Sequence, residues 1–173
     1  MIAYLLSGNV KEYQLHLMKR ISKEFGLDNP SDRIAPHLTL KSPFEAEDIS
    51  KLEIILEDFC NENSKQDILM KGTGNFDNRV FYLNAELSDG AKKLFLDFLK
   101  GISKLEYVPL NNYDQRTDNF HSTIVYPKPN TNITKLRSFL AALNPMFKTK
   151  IDNIYILKKI RGIWRVHKRF ELK

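Results

Sequence analysis

The order of predicted secondary-structure elements repeats once along this chain of 173 residues. On the basis of apolar periodicity, residues 1–71 and 79–173 each read as strand, helix, short strand, helix, strand. The repeat is much longer than the units of stacked solenoid proteins, so we expect two pseudo-symmetric lobes around a shared cleft. We predict a bilobal α+β fold in one domain, a duplication of β-α-β-α-β units. Antiparallel sheets should surround the cleft with helices outside, and the lobes should be approximately residues 1–75 and 76–173.

Local signals predict where several of these elements begin and end. Ser88 or Asp89 is placed to cap the third helix, because short polar side chains accept hydrogen bonds from the first free amides of a helix. The glycine-rich stretch Gly72–Asn75 predicts a loop between two strands. Two alternating apolar runs, Ile151–Leu157 and Ile163–Leu172, predict a hairpin near residue 173.

The short strands of the two halves carry the same motif, a histidine and a threonine two residues apart. Residues 37–40 read His-Leu-Thr-Leu and residues 121–124 read His-Ser-Thr-Ile. With four histidines and seven threonines in the chain, about 0.16 such triplets are expected by chance, so two at matching positions are informative. Because side chains alternate along a strand, the histidine and threonine of each motif project from one face.

Two imidazoles and two hydroxyls that face each other across a cleft suit phosphoryl transfer without a metal. An imidazole titrates near pH 6.5, so one of His37 and His121 can act as general base while the other acts as general acid. The hydroxyls of Thr39 and Thr123 can donate hydrogen bonds to the non-bridging oxygens of a phosphate. Lys41 lies two residues beyond Thr39 on the same face. It either adds a positive charge for the phosphate or is an exposed lysine beside a turn.

The motifs and their flanks resemble the 2H phosphoesterases, a family that includes 2′-5′ RNA ligase-like proteins and cyclic nucleotide phosphodiesterases. The resemblance covers nearly the whole chain and is most specific at the two His-x-Thr motifs, with weaker support from residues 76–83 and 162–172. It implies that the two motif histidines form the acid–base pair and that the two motif threonines bind phosphate. It also implies a site in the central groove that needs neither metal nor cofactor. Ser122 departs from the family pattern, at a position where an apolar residue would pack better.

Aromatic and basic residues outside the motifs are further candidates for substrate binding. The polar segment Glu106–Asn119 is long enough to be a functional loop, such as a lid. Its Tyr113 and Arg116 are placed to stack on a base or to bind phosphate, and a plain solvent loop is the alternative. Phe81 or Tyr82, in a predicted strand, either supplies an aromatic platform or packs in the core.

The basic excess of the chain is confined to its last 16 residues. The chain has 27 Lys plus Arg against 21 Asp plus Glu, a formal charge of +6. Residues Lys158–Lys173 hold seven basic side chains and one acidic one, which accounts for the whole excess. This predicted hairpin is either a solvated outer face or an electrostatic track that attracts RNA.

Several classes of protein are excluded by what the sequence lacks. The single cysteine, Cys60, cannot form an internal disulfide, and no apolar run approaches the roughly 20 residues needed to span a bilayer. Neither motif brings the further His, Cys or carboxylate ligands that a zinc or two-metal site requires. We therefore expect a cytoplasmic monomer without metal or cofactor, whose partner is RNA or a nucleotide and not a membrane.

Together these features predict a metal-independent phosphodiesterase of the 2H type. It would hydrolyse 2′,3′-cyclic phosphate or 2′-5′ phosphodiester bonds of RNA or nucleotides. In this scheme His121 deprotonates water and His37 protonates the departing ribose oxygen, or the assignment is reversed. Two alternatives stay open, an RNA-binding module with little turnover and a 2′-5′ RNA ligase that runs the reverse reaction at the same site.

Overall fold

Two four-stranded antiparallel sheets and four helices form the framework of the protein, in a computed structural model that describes residues 1–173. The elements in chain order are β1 (Ile2–Leu5), α1 (Gly8–Phe25), β2 (His37–Lys41), α2 (Ser50–Glu62), β3 (Gln66–Phe76), β4 (Val80–Leu87), α3 (Asp89–Ile102), β5 (His121–Val125), α4 (Ile133–Ala141), β6 (Met146–Ile151), β7 (Asn153–Ile160) and β8 (Ile163–Glu171). The first sheet has the strand order β2-β1-β7-β8, and the second has the order β5-β4-β3-β6.

The two sheets are built on the duplication that the sequence predicts. A strand, a helix and an antiparallel edge strand follow one another as β1-α1-β2 in the first sheet and as β4-α3-β5 in the second. A later strand of each half joins the sheet that contains the first strand of the other half. In this way β3 pairs with β4 in the second sheet, and β7 pairs with β1 in the first. The predicted α+β fold with antiparallel sheets is confirmed. Each sheet contains strands from both halves of the chain, so the lobes are not the continuous ranges 1–75 and 76–173.

One hydrophobic core of 37 buried residues draws on every helix and on both sheets. Alternation along β2 sends Leu38 and Leu40 into this core and leaves His37 and Thr39 more accessible. Ser88 caps α3 as predicted, because its side chain accepts a hydrogen bond from the Ala91 amide at 3.1 Å. None of the helices is long and apolar enough to cross a membrane.

Two segments differ from the sequence-based expectations. Gly72–Asn75 is not a loop but part of β3, and the hairpin turn falls at Asp77 and Asn78, whose φ angles are 49° and 60°. Pairing with β4 overrides the local glycine signal, and Gly72 takes a positive φ at the irregular point of that pairing. β6, which pairs with β3, is a further strand that the apolar periodicity does not predict. The predicted C-terminal hairpin is present as β7 and β8.

Candidate active site

The two motif strands are edge strands that meet across a cleft. β2 ends the first sheet, β5 ends the second, and the two strands contact each other. Each strand turns alternate residues of its motif into the interior and leaves the histidine and the threonine at least partly exposed. The duplication thus brings both His-x-Thr motifs to one place.

Both imidazole rings are held by the same kind of backbone contact. Nδ1 of His37 lies 2.9 Å from the carbonyl oxygen of Ala35, and Nδ1 of His121 lies 2.9 Å from the carbonyl oxygen of Asn119. Because a carbonyl oxygen only accepts hydrogen bonds, Nδ1 carries the hydrogen in both rings and Nε2 is left for a substrate. Such an Nε2 can take up a proton when the ring is neutral and deliver one when it is charged, without any rotation of the ring.

The surroundings of His37 favour its neutral form. Burial lowers the pKa of His37 from its ordinary value of 6.5, the hydrogen bond to Ala35 opposes that shift, and charge on His121 lowers the pKa further. The last effect places the two imidazoles within electrostatic reach of each other. It also disfavours the state in which both rings are charged.

A cavity of about 570 Å³ opens beside the motifs. Thr39 and His121 line it, and His37 and Thr123 lie two residues away along the same strands. Its volume is in the range of small-molecule sites, about 300–1,000 Å³. Its other walls come from the residues after β2, the β3–β4 hairpin, α3 and the segment before β5.

Two aromatic rings pack against His121. The ring centroids of Phe76 and Tyr82 each lie 4.9 Å from the centroid of the imidazole, and 4.5 Å from each other. Tyr82 also lies over Gly74, its partner in β3, where an added Cβ would stand 2.6 Å from the tyrosine ring. Gly74 therefore makes room for the ring that supports the imidazole.

Lys41 occupies a different environment from the one expected. Its side chain is 1% exposed, and its ammonium lies 3.0 Å from the carboxylate of Asp114. It also donates to the carbonyl oxygen and the hydroxyl of Ser42, at 3.1 and 3.2 Å. A shift in the β1–β2 register falls between the partners of Thr39 and Lys41, so the simple alternation that put both side chains on one face is interrupted there. The charge of Lys41 is thus balanced by Asp114 and is not free at the cavity surface.

The remaining predicted contact residues divide between the cavity and the core. Tyr113 and Arg116 line the cavity, and the Arg116 guanidinium lies 5.2 Å from the centroid of the Tyr113 ring. Phe81 is 2% exposed and belongs to the hydrophobic core. The expectation of an aromatic platform at Phe81 is therefore corrected. Its neighbour Tyr82 is the strand aromatic that contacts a motif histidine.

Several residues that line the cavity were not predicted as site residues, and Phe76, Arg79 and Asp114 are among them. Phe76 and Arg79 belong to the family-like stretch 76–83, which is the one signal available for them. Arg79 forms an exposed ion pair with Asp77 at 2.9 Å, at the tip of the β3–β4 hairpin. Nothing in the sequence indicates that Asp114 lines the cavity, because an acidic residue in a polar segment is expected to be exposed to solvent.

Other reactive side chains are engaged elsewhere. Burial, with a smaller contribution from Glu57, raises the pKa of the Cys60 thiol to about 12, so Cys60 packs as a core residue rather than acting as a nucleophile. Nε2 of His167 lies 2.7 Å from the carboxylate of Glu53 on α2. No group of three or more His, Cys, Asp or Glu side chains is arranged to hold a metal ion.

Known sequences resemble this chain over most of its length. The family model described as the 2′-5′ RNA ligase superfamily matches residues 10–162. A protein of Geobacillus sp. (strain WCH70), named "Putative phosphoesterase", is 27% identical over 177 residues, which cover 98% of this chain and 93% of that protein. A protein of Bacillus pumilus (strain SAFR-032) with the same description is 27% identical over 149 residues, 80% of each chain.

Solved structures share the fold over nearly the full length. TT0787 of Thermus thermophilus superposes with a TM-score of 0.70 at 18% identity, over 99% of this chain and 96% of that one. LigT of Escherichia coli, crystallised with 3′-AMP, superposes with a TM-score of 0.62 at 17% identity, over 99% and 96% of the two chains. Further crystal structures of LigT contain NADP⁺ or ATP. These likenesses confirm the α+β fold with two antiparallel sheets.

Proposed function

Because the chain belongs to the 2′-5′ RNA ligase superfamily of 2H phosphoesterases, we propose that it is a metal-independent phosphodiesterase. Its substrates would be 2′,3′-cyclic phosphate or 2′-5′ phosphodiester bonds of RNA or nucleotides. The observation that carries the proposal is the matched pair of imidazoles on adjoining edge strands, each with Nδ1 on a carbonyl and Nε2 left for substrate. Such a pair can remove one proton and deliver another within one reaction.

Hydrolysis of a 2′,3′-cyclic phosphate uses both rings. One imidazole takes a proton from water through Nε2 while the water oxygen bonds to phosphorus. The bond from phosphorus to one ribose oxygen then breaks, and the other imidazole donates its Nε2 proton to that oxygen. The lowered pKa of His37 favours His37 as the base and His121 as the acid, which is the second of the two assignments that the sequence leaves open. Thr39 and Thr123 donate hydrogen bonds to the non-bridging oxygens as their charge builds.

Side chains at the cavity are proposed to bind the rest of the substrate. Arg79 and Arg116 line the cavity, and a guanidinium matches the geometry of phosphate oxygens. Tyr113 presents a ring on which a base can stack. The crystal structures of LigT with 3′-AMP, NADP⁺ and ATP support a nucleotide as the ligand of this chain as well.

A monomer in the cytoplasm is the proposed form of the protein. Its one cysteine, Cys60, is buried and free, which suits a reducing compartment. Both His-x-Thr motifs come from one chain and meet at one cleft, so the proposed chemistry requires no second copy.

Ligation is a second candidate, favoured by the description of the matching family. A 5′-hydroxyl would attack the 2′,3′-cyclic phosphate of another RNA end and form a 2′-5′ bond while the 3′ oxygen leaves, with each imidazole in the role that it has in hydrolysis. High concentrations of paired RNA ends would reveal this product. A binding module with little turnover instead predicts RNA binding that survives His37→Ala and His121→Ala, with no product released.

The test is turnover by the purified protein after treatment with a chelator. It is incubated with 2′,3′-cyclic nucleotides and a 2′-5′ oligoadenylate, and the 2′- and 3′-phosphate products are separated. His37→Ala and His121→Ala should each lower the rate by about 10²- to 10⁴-fold. His16→Ala, which changes an exposed histidine of α1, is the matched control. Full activity in both motif variants, or activity that disappears with the chelator, would refute the mechanism.

A further inference from the structure

The segment between α3 and β5, residues 103–120, forms one wall of the cavity without any helix or strand of its own. Tyr113 and Arg116 of this segment are both exposed, and the Tyr113 side chain is 76% accessible. Exposed side chains on an irregular segment have no regular backbone pairing to position them. Their placement at the cavity must come from the contacts that tie the segment to the rest of the protein.

The tie is a buried polar network centred on Asp114. Its carboxylate accepts hydrogen bonds from the backbone amides of Ser42 at 2.8 Å and Asn111 at 3.0 Å. The Lys41 ammonium lies 3.0 Å from the same carboxylate. Asn111 adds a second link, because its side-chain amide donates to the Ser42 hydroxyl at 2.8 Å. These contacts join the segment to Lys41, at the end of β2, and to Ser42, the next residue. The hydrogen bond from the Asn111 amide to Asp114 lies within the segment itself.

This ion pair differs from the others in the protein. The side chains of Lys41 and Asp114 are 1% and 2% exposed, whereas every other ion pair has both side chains at least 26% exposed. Burial alone would raise the pKa of Asp114, but the hydrogen bonds from Asn111 and Ser42 and the contact with Lys41 bring it below its ordinary value. A buried pair of this kind adds little net stability over apolar side chains, and its best-attested use is to specify one arrangement.

We propose that Lys41 and Asp114 are positioning residues that hold Tyr113 and Arg116 at the cavity as a recognition element for the nucleobase of the substrate. This inference rests on the proposed function for the identity of the ligand. Asp114 directly follows Tyr113 and precedes Arg116 by two residues, so anchoring its carboxylate fixes the backbone that carries both. The pair therefore acts on the choice and binding of substrate, while proton transfer stays with the histidines.

Three variants separate positioning from simple structural support. Lys41→Met removes the ammonium but leaves Asp114 its two amide donors. The double variant Lys41→Met with Asp114→Asn removes both charges, and so avoids an unpaired buried charge. Lys128→Met, which breaks the exposed pair of Lys128 with Asp28, is the control for loss of an ion pair elsewhere.

The readouts are hydrogen exchange of residues 103–120, the Kd of 3′-AMP by calorimetry, and kinetics on two substrates. One substrate is 2′,3′-cyclic AMP and the other is ribose 2′,3′-cyclic phosphate, which has no base. Both variants of the pair should speed exchange in the segment and raise the Kd of 3′-AMP about tenfold, in line with the contribution of one stacked base. The KM for cyclic AMP should rise while kcat changes little, and the base-free substrate should be nearly unaffected. In a variant that already carries Tyr113→Ala and Arg116→Ala, adding Lys41→Met should cost nothing further.

Three results would overturn the inference. They are unchanged exchange in the segment, an unchanged Kd for 3′-AMP, and equal losses on the two substrates, which would assign the pair to support of the first motif. Failure of the proposed function looks different. If the wild-type protein binds 3′-AMP but turns over no phosphodiester, the phosphodiesterase assignment fails, and the exchange data and the Kd values still decide the role of the pair.

Discussion

Replacement of Gly74 by alanine should slow the reaction without unfolding the protein. The φ angle of Gly74 is not positive, so its backbone conformation accepts an alanine. The added Cβ, however, would lie 2.6 Å from Cε2 of Tyr82 and 2.8 Å from its hydroxyl oxygen. The ring must move by about 0.9 Å to restore a carbon–carbon contact of roughly 3.5 Å. Because the ring is packed against Phe76 and His121, its movement displaces the imidazole or removes its support.

The size of the effect follows from that displacement. A misplacement of about 1 Å near the chemistry can cost about 10²-fold in rate, so we expect kcat to fall by about 10- to 100-fold. Overpacking costs about 1–3 kcal/mol, and alanine in a strand gains about 0.5–1 kcal/mol over glycine. The net loss of at most about 2.5 kcal/mol lowers the Tm by less than about 10 °C in a chain of this length. The variant should therefore be folded at 25 °C.

The assay is kcat on 2′,3′-cyclic AMP, with the Tm from circular dichroism and the His121 imidazole resonance from NMR. Gly101→Ala in α3 is the matched control, because its Cβ would meet Ile55 at an ordinary 3.7 Å, and it should keep the wild-type rate. Added to Tyr82→Ala, the Gly74→Ala change should cost nothing further. A wild-type kcat in Gly74→Ala would refute the reasoning, since the Tyr82 ring would then not hold the imidazole.

Further predictions address pH, the core and the basic hairpin. If His37 is the base, kcat/KM should fall at low pH as His37 becomes protonated. Because the pKa of His37 is lowered from 6.5, this acidic limb should lie below pH 6.5. A limb above pH 6.5 would contradict this role. The Ser122 hydroxyl is buried without a partner, so Ser122→Ala should raise the free energy of unfolding by about 1 kcal/mol in a urea titration, and a loss would reveal a hidden partner. The pKa of Asp114 is lower in the folded protein, so its contribution to stability is complete above the unfolded value of about 3.9 and is lost as the pH falls through the folded value. Asp114→Asn should remove that part of the acid dependence of the Tm. Replacing Lys159, Arg161 and Arg165 by glutamine should reduce the salt dependence of single-stranded RNA binding by about 2 in log–log slope and leave hydrolysis of cyclic nucleotides unchanged. If RNA binding and the hydrolysis of cyclic nucleotides fell equally, these charges would support the fold rather than bind RNA.

The motif strands were predictable because the relevant signal is local. A histidine and a threonine two residues apart share one face of any strand, and the apolar residues beside them indicate which face is buried. The duplicated order of elements then indicates that two such strands occupy equivalent positions. Nothing in this reasoning depends on which distant segments pair, and the structure brings His37 and His121 together at adjoining sheet edges.

The predictions that were wrong concern segments whose structure depends on pairing with distant parts of the chain. The glycines of Gly72–Asn75 favour a loop locally, but hydrogen bonds to β4 hold the stretch in a strand. β6 is stabilised by pairing with β3, although the two strands lie far apart along the chain. The exchange of strands between the two sheets has the same origin, since the order of elements along a chain does not specify which sheet a strand joins.

The environment of Lys41 could not be predicted for a related reason. Alternation puts Lys41 on the face of Thr39, and only the observed register shift against β1 interrupts that pattern. Its partner Asp114 lies 73 residues further along the chain, in a polar segment where nothing distinguishes a buried carboxylate from a solvated one. For the same reason the network that ties residues 103–120 to β2 becomes visible only in three dimensions.

The two histidines are alike in their backbone contacts and unlike in their surroundings, and the two facts have separate consequences. Identical Nδ1 contacts leave Nε2 available on both rings, so either ring can serve as acid or as base. The aromatic packing around His121 has no counterpart described at His37, and under the proposed mechanism the lowered pKa of His37 favours His37 as the base in hydrolysis. Because a reaction and its reverse share one transition state, His37 would then take the proton of the attacking 5′-hydroxyl in ligation and protonate the departing 5′ oxygen in cleavage of the 2′-5′ bond. Under the proposed mechanism, the choice between hydrolysis and ligation of the cyclic phosphate therefore depends on whether water or a 5′-hydroxyl occupies the position next to His37, and not on the histidines themselves.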